Sequence, residues 1–188
     1  MRVAYLAIPA FLTLTASALA GSIADAGAKA EKLVQANDHA AAIAVLDEAI
    51  AGILKEAPMA IAKALFVDKA TGYGAYIERA AAVFKPGEPI IIYVEPIAFT
   101  FGKNDLGAKE FSLTTDFVLR DDKGETLFAK DDFVSVVQPV RYDNREVHFT
   151  LTIDLTGLPE GNFIGKFRVR DRHSAKSAMF DLPFAVKG

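Results

Sequence analysis

Val147, Phe149, Leu151, Ile153 and Leu155 are apolar, and His148, Thr150, Thr152 and Asp154 between them are polar. A side-chain period of two is that of a strand with one face in a core and the other in water. A chain that repeats this signal must pair its strands into sheets and bury the apolar faces against each other. It does repeat. Phe111, Leu113, Thr115, Phe117 and Leu119 alternate with Ser112, Thr114, Asp116 and Arg120; Phe163, Phe167 and Val169 follow, then Phe180, Leu182, Phe184 and Val186. Ile90 to Glu95 is apolar almost throughout, as in a strand buried on both faces. Tyr73 to Phe84 reads as a first strand, closed by Lys85-Pro86-Gly87. Thr126 to Val137 reads as another, with a polar interruption at Lys130-Asp131-Asp132. Asp121-Asp122-Lys123-Gly124 is a hairpin turn. About seven strands with turns between them predict a mainly β fold: an antiparallel immunoglobulin- or fibronectin-like sandwich. No helical crossover separates these strands, which argues against a parallel α/β sheet.

Ahead of the strands, Ile23 to Ala57 is rich in alanine. Leu33, Ala36, Ala40, Ile43, Leu46, Ala49, Ile50, Ile53 and Leu54 recur at helical spacing. Two helices are predicted, over 24–36 and 39–56, with Asp38 as N-cap of the second and Pro58 closing the hairpin. Asn37-Asp38-His39, Ala42 and Pro58 give this hairpin a resemblance to one tetratricopeptide unit, although a solenoid of such units needs about three of them. Met59 to Val67 suits helix or strand. At the start, Arg2, the apolar run Val3 to Leu14 and Ala18-Leu19-Ala20 match a cleaved export signal. The apolar run is short of the ~20 residues that span a bilayer. The expected organisation is a signal peptide at 1–20, a helical hairpin at 21–58, a connecting segment at 59–72 and the sandwich at 73–188. The expected location is periplasmic or secreted.

The chain has no cysteine, which excludes disulfides and thiolate chemistry. Its formal charge of −3 gives no general reason to bind nucleic acid. The stretch Tyr73-Gly-Ala-Tyr76, Arg79, then Phe84-Lys-Pro-Gly-Glu-Pro-Ile-Ile-Ile-Tyr93-Val-Glu-Pro96 resembles uncharacterised exported bacterial proteins. So does Arg168-Val-Arg-Asp171-Arg-His-Ser-Ala-Lys176 with Leu182-Pro-Phe184. That resemblance implies a sandwich behind a short N-terminal region, and no particular activity.

The sharpest candidate site is Lys166, Arg168, Arg170 and Arg172. Alternation puts all four on one face of a strand, with Phe167, Val169 and Asp171 on the other. Such a row spans roughly 20 Å and suits an anionic glycan or glycolipid, or an acidic envelope protein. Asp116, Glu146, Asp154 and Asp181 are the carboxylates that would instead neutralise it across the sheet. His39, His148 and His173 match no metal-ligand spacing, and Asp121 to Glu125 falls short of a calcium loop. No serine sits in a glycine elbow. Glu88, Glu95 and Asp116 would form a carboxylate site only if folding joined them. The expectation is a non-enzymatic interaction module with no metal or cofactor. The alternatives are a chaperone-like protein that pairs through an edge strand, or a hydrolase or carbohydrate binder whose site is assembled from distant residues.

Overall fold

The computed structural model describes residues 14–154 and 156–188. Most of the expected signal segment, residues 1–13, lies outside them, as does Leu155. The chain divides into two compact units, Met1–Glu56 and Ala57–Gly188.

The first unit is a helical hairpin of α1 (Leu14–Gln35) and α2 (His39–Glu56). Asn37 takes a left-handed conformation at φ 60°, and Asp38 N–H donates to the Leu33 carbonyl. Asp38 Oδ1 accepts from Ala41 N–H at 3.1 Å, so it caps α2 as its position predicts. Ala30 and Ala42 are buried. No helix among the described residues is long and apolar enough to cross a membrane.

The second unit is a sandwich of two open sheets. Its strands are β1 (Ala60–Gly72), β2 (Ala75–Glu78), β3 (Val83–Phe84), β4 (Ile90–Ile97), β5 (Phe101–Lys103), β6 (Lys109–Asp121), β7 (Thr126–Pro139), β8 (Phe149–Ile153), β9 (Gly161–Asp171) and β10 (Ser177–Val186). The first sheet has the order β2-β1-β4-β8. The second runs β3-β10-β9-β6, with β7 on the far side of β6 and β5 joined to the start of β6. Setting β1, β4 and β8 against β10, β9, β6 and β7 gives the strand arrangement of immunoglobulin- and fibronectin-type sandwiches.

The described residues form ten strands where the alternation suggested about seven, and the surplus has identifiable causes. Residues 59–72, expected as a connector, hold β1, an inner strand that pairs with both β2 and β4. The sandwich therefore begins before Tyr73. The single strand expected over Tyr73–Phe84 is broken at 79–82, where the chain leaves β1 for β10: Arg79 N–H donates to Phe66 and Ala185 N–H donates to Ala82. β5 is a short piece separated from β4 by Ala98 at φ 59°.

The core lies between the sheets. Ile90, Ile92, Val94, Phe149, Leu151 and Ile153 face inward from the first sheet; Leu113, Phe117, Phe163, Phe167, Val169 and Phe184 face inward from the second. Phe117, Phe167 and Phe180 are neighbours across β6, β9 and β10. Their rings stack at 4.9 and 4.8 Å, within 15° of parallel. Gly165 leaves room for this stack, because a Cβ there would stand 2.9 Å from the Phe167 ring.

Leu151 is fully buried beside Ile92 in the register of β8 and β4. Leu151→Ala is expected to cost about 2–5 kcal/mol. The check is a urea titration followed by tyrosine fluorescence, with a lower midpoint and an unchanged slope.

Candidate functional site

Of the four cations predicted to share a face, Lys166, Arg168 and Arg170 alternate with the buried Phe167, Val169 and Asp171 and so lie on the outer side of β9, whereas Arg172 follows the last residue of that strand, in the bend that leads to β10. The neighbouring strands treat them unequally. β6 places Asp116 beside Arg168, and β10 places Asp181 beside Lys166. Lys166 Nζ pairs with Asp181 Oδ2 at 2.6 Å. Arg170 reaches diagonally to Asp116, donating from Nε at 2.9 Å and from Nη2 at 2.6 Å. Its Nη2 also donates to Asp132 at 2.7 Å. Asp132 comes from β7, at φ 51°, where the register with β6 shifts. The polar interruption at Lys130-Asp131-Asp132 is thus a bulge that turns a third carboxyl-bearing strand toward Arg170. Hydrogen bonds from Arg170 hold the Asp116 carboxyl below the usual range, and the same bonds raise Arg170. Of the expected carboxylate partners, Asp116 and Asp181 take the role, while Asp154 caps Thr156 instead.

Arg168 and Arg172 are exposed, and among the described residues no carboxylate lies within ion-pair distance of either. They flank a depression of about 290 Å³ lined also by Arg170, Asp171, Ser174, Ala175, Lys176 and Ser177. Its frame is rigid. Asp171, the last residue of β9, is buried and accepts three hydrogen bonds: from Thr100 N–H at 2.8 Å, His173 N–H at 2.9 Å and Ser174 Oγ at 2.6 Å. Lys176 Nζ donates to the Ala98 carbonyl at 3.0 Å. Together these bonds tie the β9–β10 turn to the β4–β5 connection. His173 lies flat against Gly102, where a Cβ would be 2.1 Å from its Nδ1. Its Nε2 stands 3.4 Å from the buried Glu110.

The other candidates stay apart. His39 opens α2. His148 sits just before β8, half-buried, its ring stacked on Tyr93 at 5.3 Å, where a solvated strand residue was expected. Glu88 accepts from Lys85 N–H and pairs with Arg79. Asp116 is on the outer face of the second sheet and Glu95 is on the first, so the three carboxylates do not converge.

Sequence reasoning missed the surroundings of Glu95. Tyr93 and Glu95 point away from the core, yet both are buried. The β1–β2 turn reaches over them: Gly74 N–H donates to Tyr93 Oη at 2.8 Å, and Tyr93 Oη donates to Glu95 Oε1 at 2.7 Å. Tyr76 packs on Tyr93 at 4.6 Å and accepts from Lys63 Nζ at 2.9 Å. The available signal was the unbroken apolar run of β4, which demands a cover on both faces. Burial and the Glu95 carboxylate push the Tyr93 phenol up to about 12.

Two pH effects follow. Asp116 has a depressed native value, so its stabilisation is present above the unfolded carboxyl range and is lost as pH falls through the native value. Arg170→Gln is expected to lower stability at neutral pH and to flatten this acid limb in urea titrations across pH. Tyr93 has a raised native value, so unfolding releases its proton between about 10 and about 12 and stability falls as pH rises through that window. Tyr93→Phe leaves Glu95 without its donor and is expected to cost about 1–3 kcal/mol at neutral pH. Alkaline urea titrations are expected to show that deficit narrowing.

No protein-family model matches the chain, and no curated protein matches its sequence. Solved structures give distant likenesses to β-rich domains. A family 123 glycoside hydrolase from Clostridium perfringens matches with TM-score 0.39 and 10% identity, over 67% of this chain and 27% of that one. The Yersinia pseudotuberculosis adhesin InvE matches with TM-score 0.38 and 12% identity, over 70% and 33%. The superoxide reductase of Ignicoccus hospitalis matches with TM-score 0.33 and 10% identity, over 58% and 77%. The chain therefore spans a third or less of the hydrolase and the adhesin.

Proposed function

We propose that this chain is a non-enzymatic interaction module of the bacterial envelope, exported by its N-terminal signal. It holds anionic groups of a glycan, glycolipid or acidic protein at the Arg168–Arg172 end of β9. The observation that carries this reading is the unequal pairing of the cationic row. Lys166 and Arg170 are engaged by carboxylates, whereas Arg168 and Arg172 flank a depression whose own carboxylate, Asp171, is occupied by three hydrogen-bond donors, and neither arginine pairs with a carboxylate among the described residues. Two exposed guanidinium groups, one on the outer face of β9 and one just past its end, offer forked donors suited to phosphate or carboxylate oxygens. The turn behind them is fixed through Asp171, so little ordering is needed on binding. The separation of Glu88, Glu95 and Asp116 supports a binding role over a hydrolytic one.

The test is co-sedimentation with vesicles containing a phosphorylated glycolipid at several salt concentrations. Binding is expected to weaken as salt rises. Arg168→Ser with Arg172→Ser is expected to weaken it about tenfold or more, with an unchanged melting temperature. Unchanged vesicle binding by that double variant would reject the reading.

A further inference from the structure

On the side where β1 faces β10, the sandwich is only partly closed. The chain shuts one end of this seam by crossing at 79–82, after which β3 runs parallel to the end of β10, Val83 beside Ala185 and Phe84 beside Val186. Beyond the crossing, no described strand pairs with the outer edge of β10 over 177–183 or with that of β1 over 60–65. A groove of about 520 Å³ runs between them, with Ile61, Lys63 and Ala64 on one wall and Ala178, Phe180 and Leu182 on the other.

The hydrogen bonds fix which main-chain groups face this groove. The Lys176 carbonyl accepts from Asp171, next to β9, while Ala185 N–H points the opposite way, to Ala82. Main-chain groups alternate sides along a strand, and β10 pairs with β9 without a bulge from Ser177 to Val186. The N–H and C=O groups of Ser177, Met179 and Asp181, and the C=O of Pro183, therefore face the seam. The N–H that Pro183 lacks falls on this open edge, so the proline breaks no bond of the β9 ladder. On the other wall the Phe66 carbonyl turns toward Arg79, and Ala64, two residues earlier, presents its main chain on the same side.

We propose that this seam receives an extended peptide segment of a partner protein, added to β10 as a strand in the lane that β3 already occupies further along. Free donors and acceptors in strand register call for an extended backbone. The ladder with β3 shows that the lane admits one, and the new strand would continue it for six residue steps, roughly 20 Å. Ile61, Ala178, Phe180 and Leu182 are half-buried against the core, so inward positions of the segment are apolar at every second residue. A second copy of this chain fits less well, because its β10 carries β9 along the other edge and that strand would meet β1. A segment free on both edges does not.

The experiment is amide hydrogen exchange on the full chain, with and without an alternating Thr-Val segment of about eight residues appended after Gly188. A Gly-Ser linker of about ten residues reaches roughly 17 Å and keeps the segment at high effective concentration. In the unextended chain, Met179 and Asp181 amides are expected to exchange fast and Ala178 and Phe180 amides slowly. In the extended chain, Met179 and Asp181 are expected to slow about tenfold or more, equally at low and high salt. N-methylation of the appended segment at alternate residues, installed by ligation, is expected to remove the effect. Met179→Pro is expected to fold, since it removes only an edge N–H, and to lose the protection at Asp181. The proposal is overturned if Met179 and Asp181 are already protected without the segment, or if the segment leaves them unchanged or protects the edge of β7 instead.

Discussion

The stack of Phe117, Phe167 and Phe180 sets the register of the second sheet, and the rest of that sheet depends on the register. Three rings on adjacent strands, nearly parallel and under 5 Å apart, fit only one alignment of β6, β9 and β10. A slip of one residue would turn the phenyl rings to solvent and the arginines into the core. The alignment that buries the rings also puts Asp116 beside Arg168 and Asp181 beside Lys166. Packing inside the sandwich thus decides which charges meet on its outside. The ion pairs are a consequence of that alignment more than a cause, since pairs at a surface contribute about 0–1 kcal/mol each.

The same register governs the ends and edges. Asp171 occupies an inward position at the last residue of β9, where a carboxylate is costly unless fully bonded. It gathers donors from Thr100, His173 and Ser174, and in doing so anchors the turn that carries Arg172. Arg79 fastens the opposite corner. Its guanidinium pairs with Asp68 and Glu88, donates to the Val83 carbonyl and lies 4.2 Å above the Phe84 ring. That residue holds the crossing from β1 to β10, and so determines where the seam between the sheets stops being open.

Much of this was legible in the residues. The alternation in Phe149–Ile153 and Phe163–Val169, the cap at Asp38 and the turn at Asp121–Gly124 each carry a local cause, and each appears where that cause puts it. The sharing of one face by Lys166, Arg168 and Arg170 follows from the strand period alone, while Arg172 lies beyond the end of β9. β1 was not legible, because Ala60, Ala62 and Ala64 weaken its alternation and its place as an inner strand is set by partners from β2 and β4. The division of the cationic row was hidden for the same kind of reason. Asp132 lies 38 residues from Arg170 and reaches it through a bulge. The burial of Tyr93 and Glu95 depends on a turn at Gly74 that folds over an outer face.

The sequence by itself determined that the chain has a helical hairpin followed by a mainly β body, and which residues point inward in the strands that alternate clearly, such as β6, β8, β9 and β10. Those properties rest on helical and strand periods, which act within a few residues. Only the tertiary structure decided which cations are neutralised, which carboxylates are buried and which strand edges remain open. Each of these depends on distances between residues far apart in the chain, and strand order and register alone set those distances.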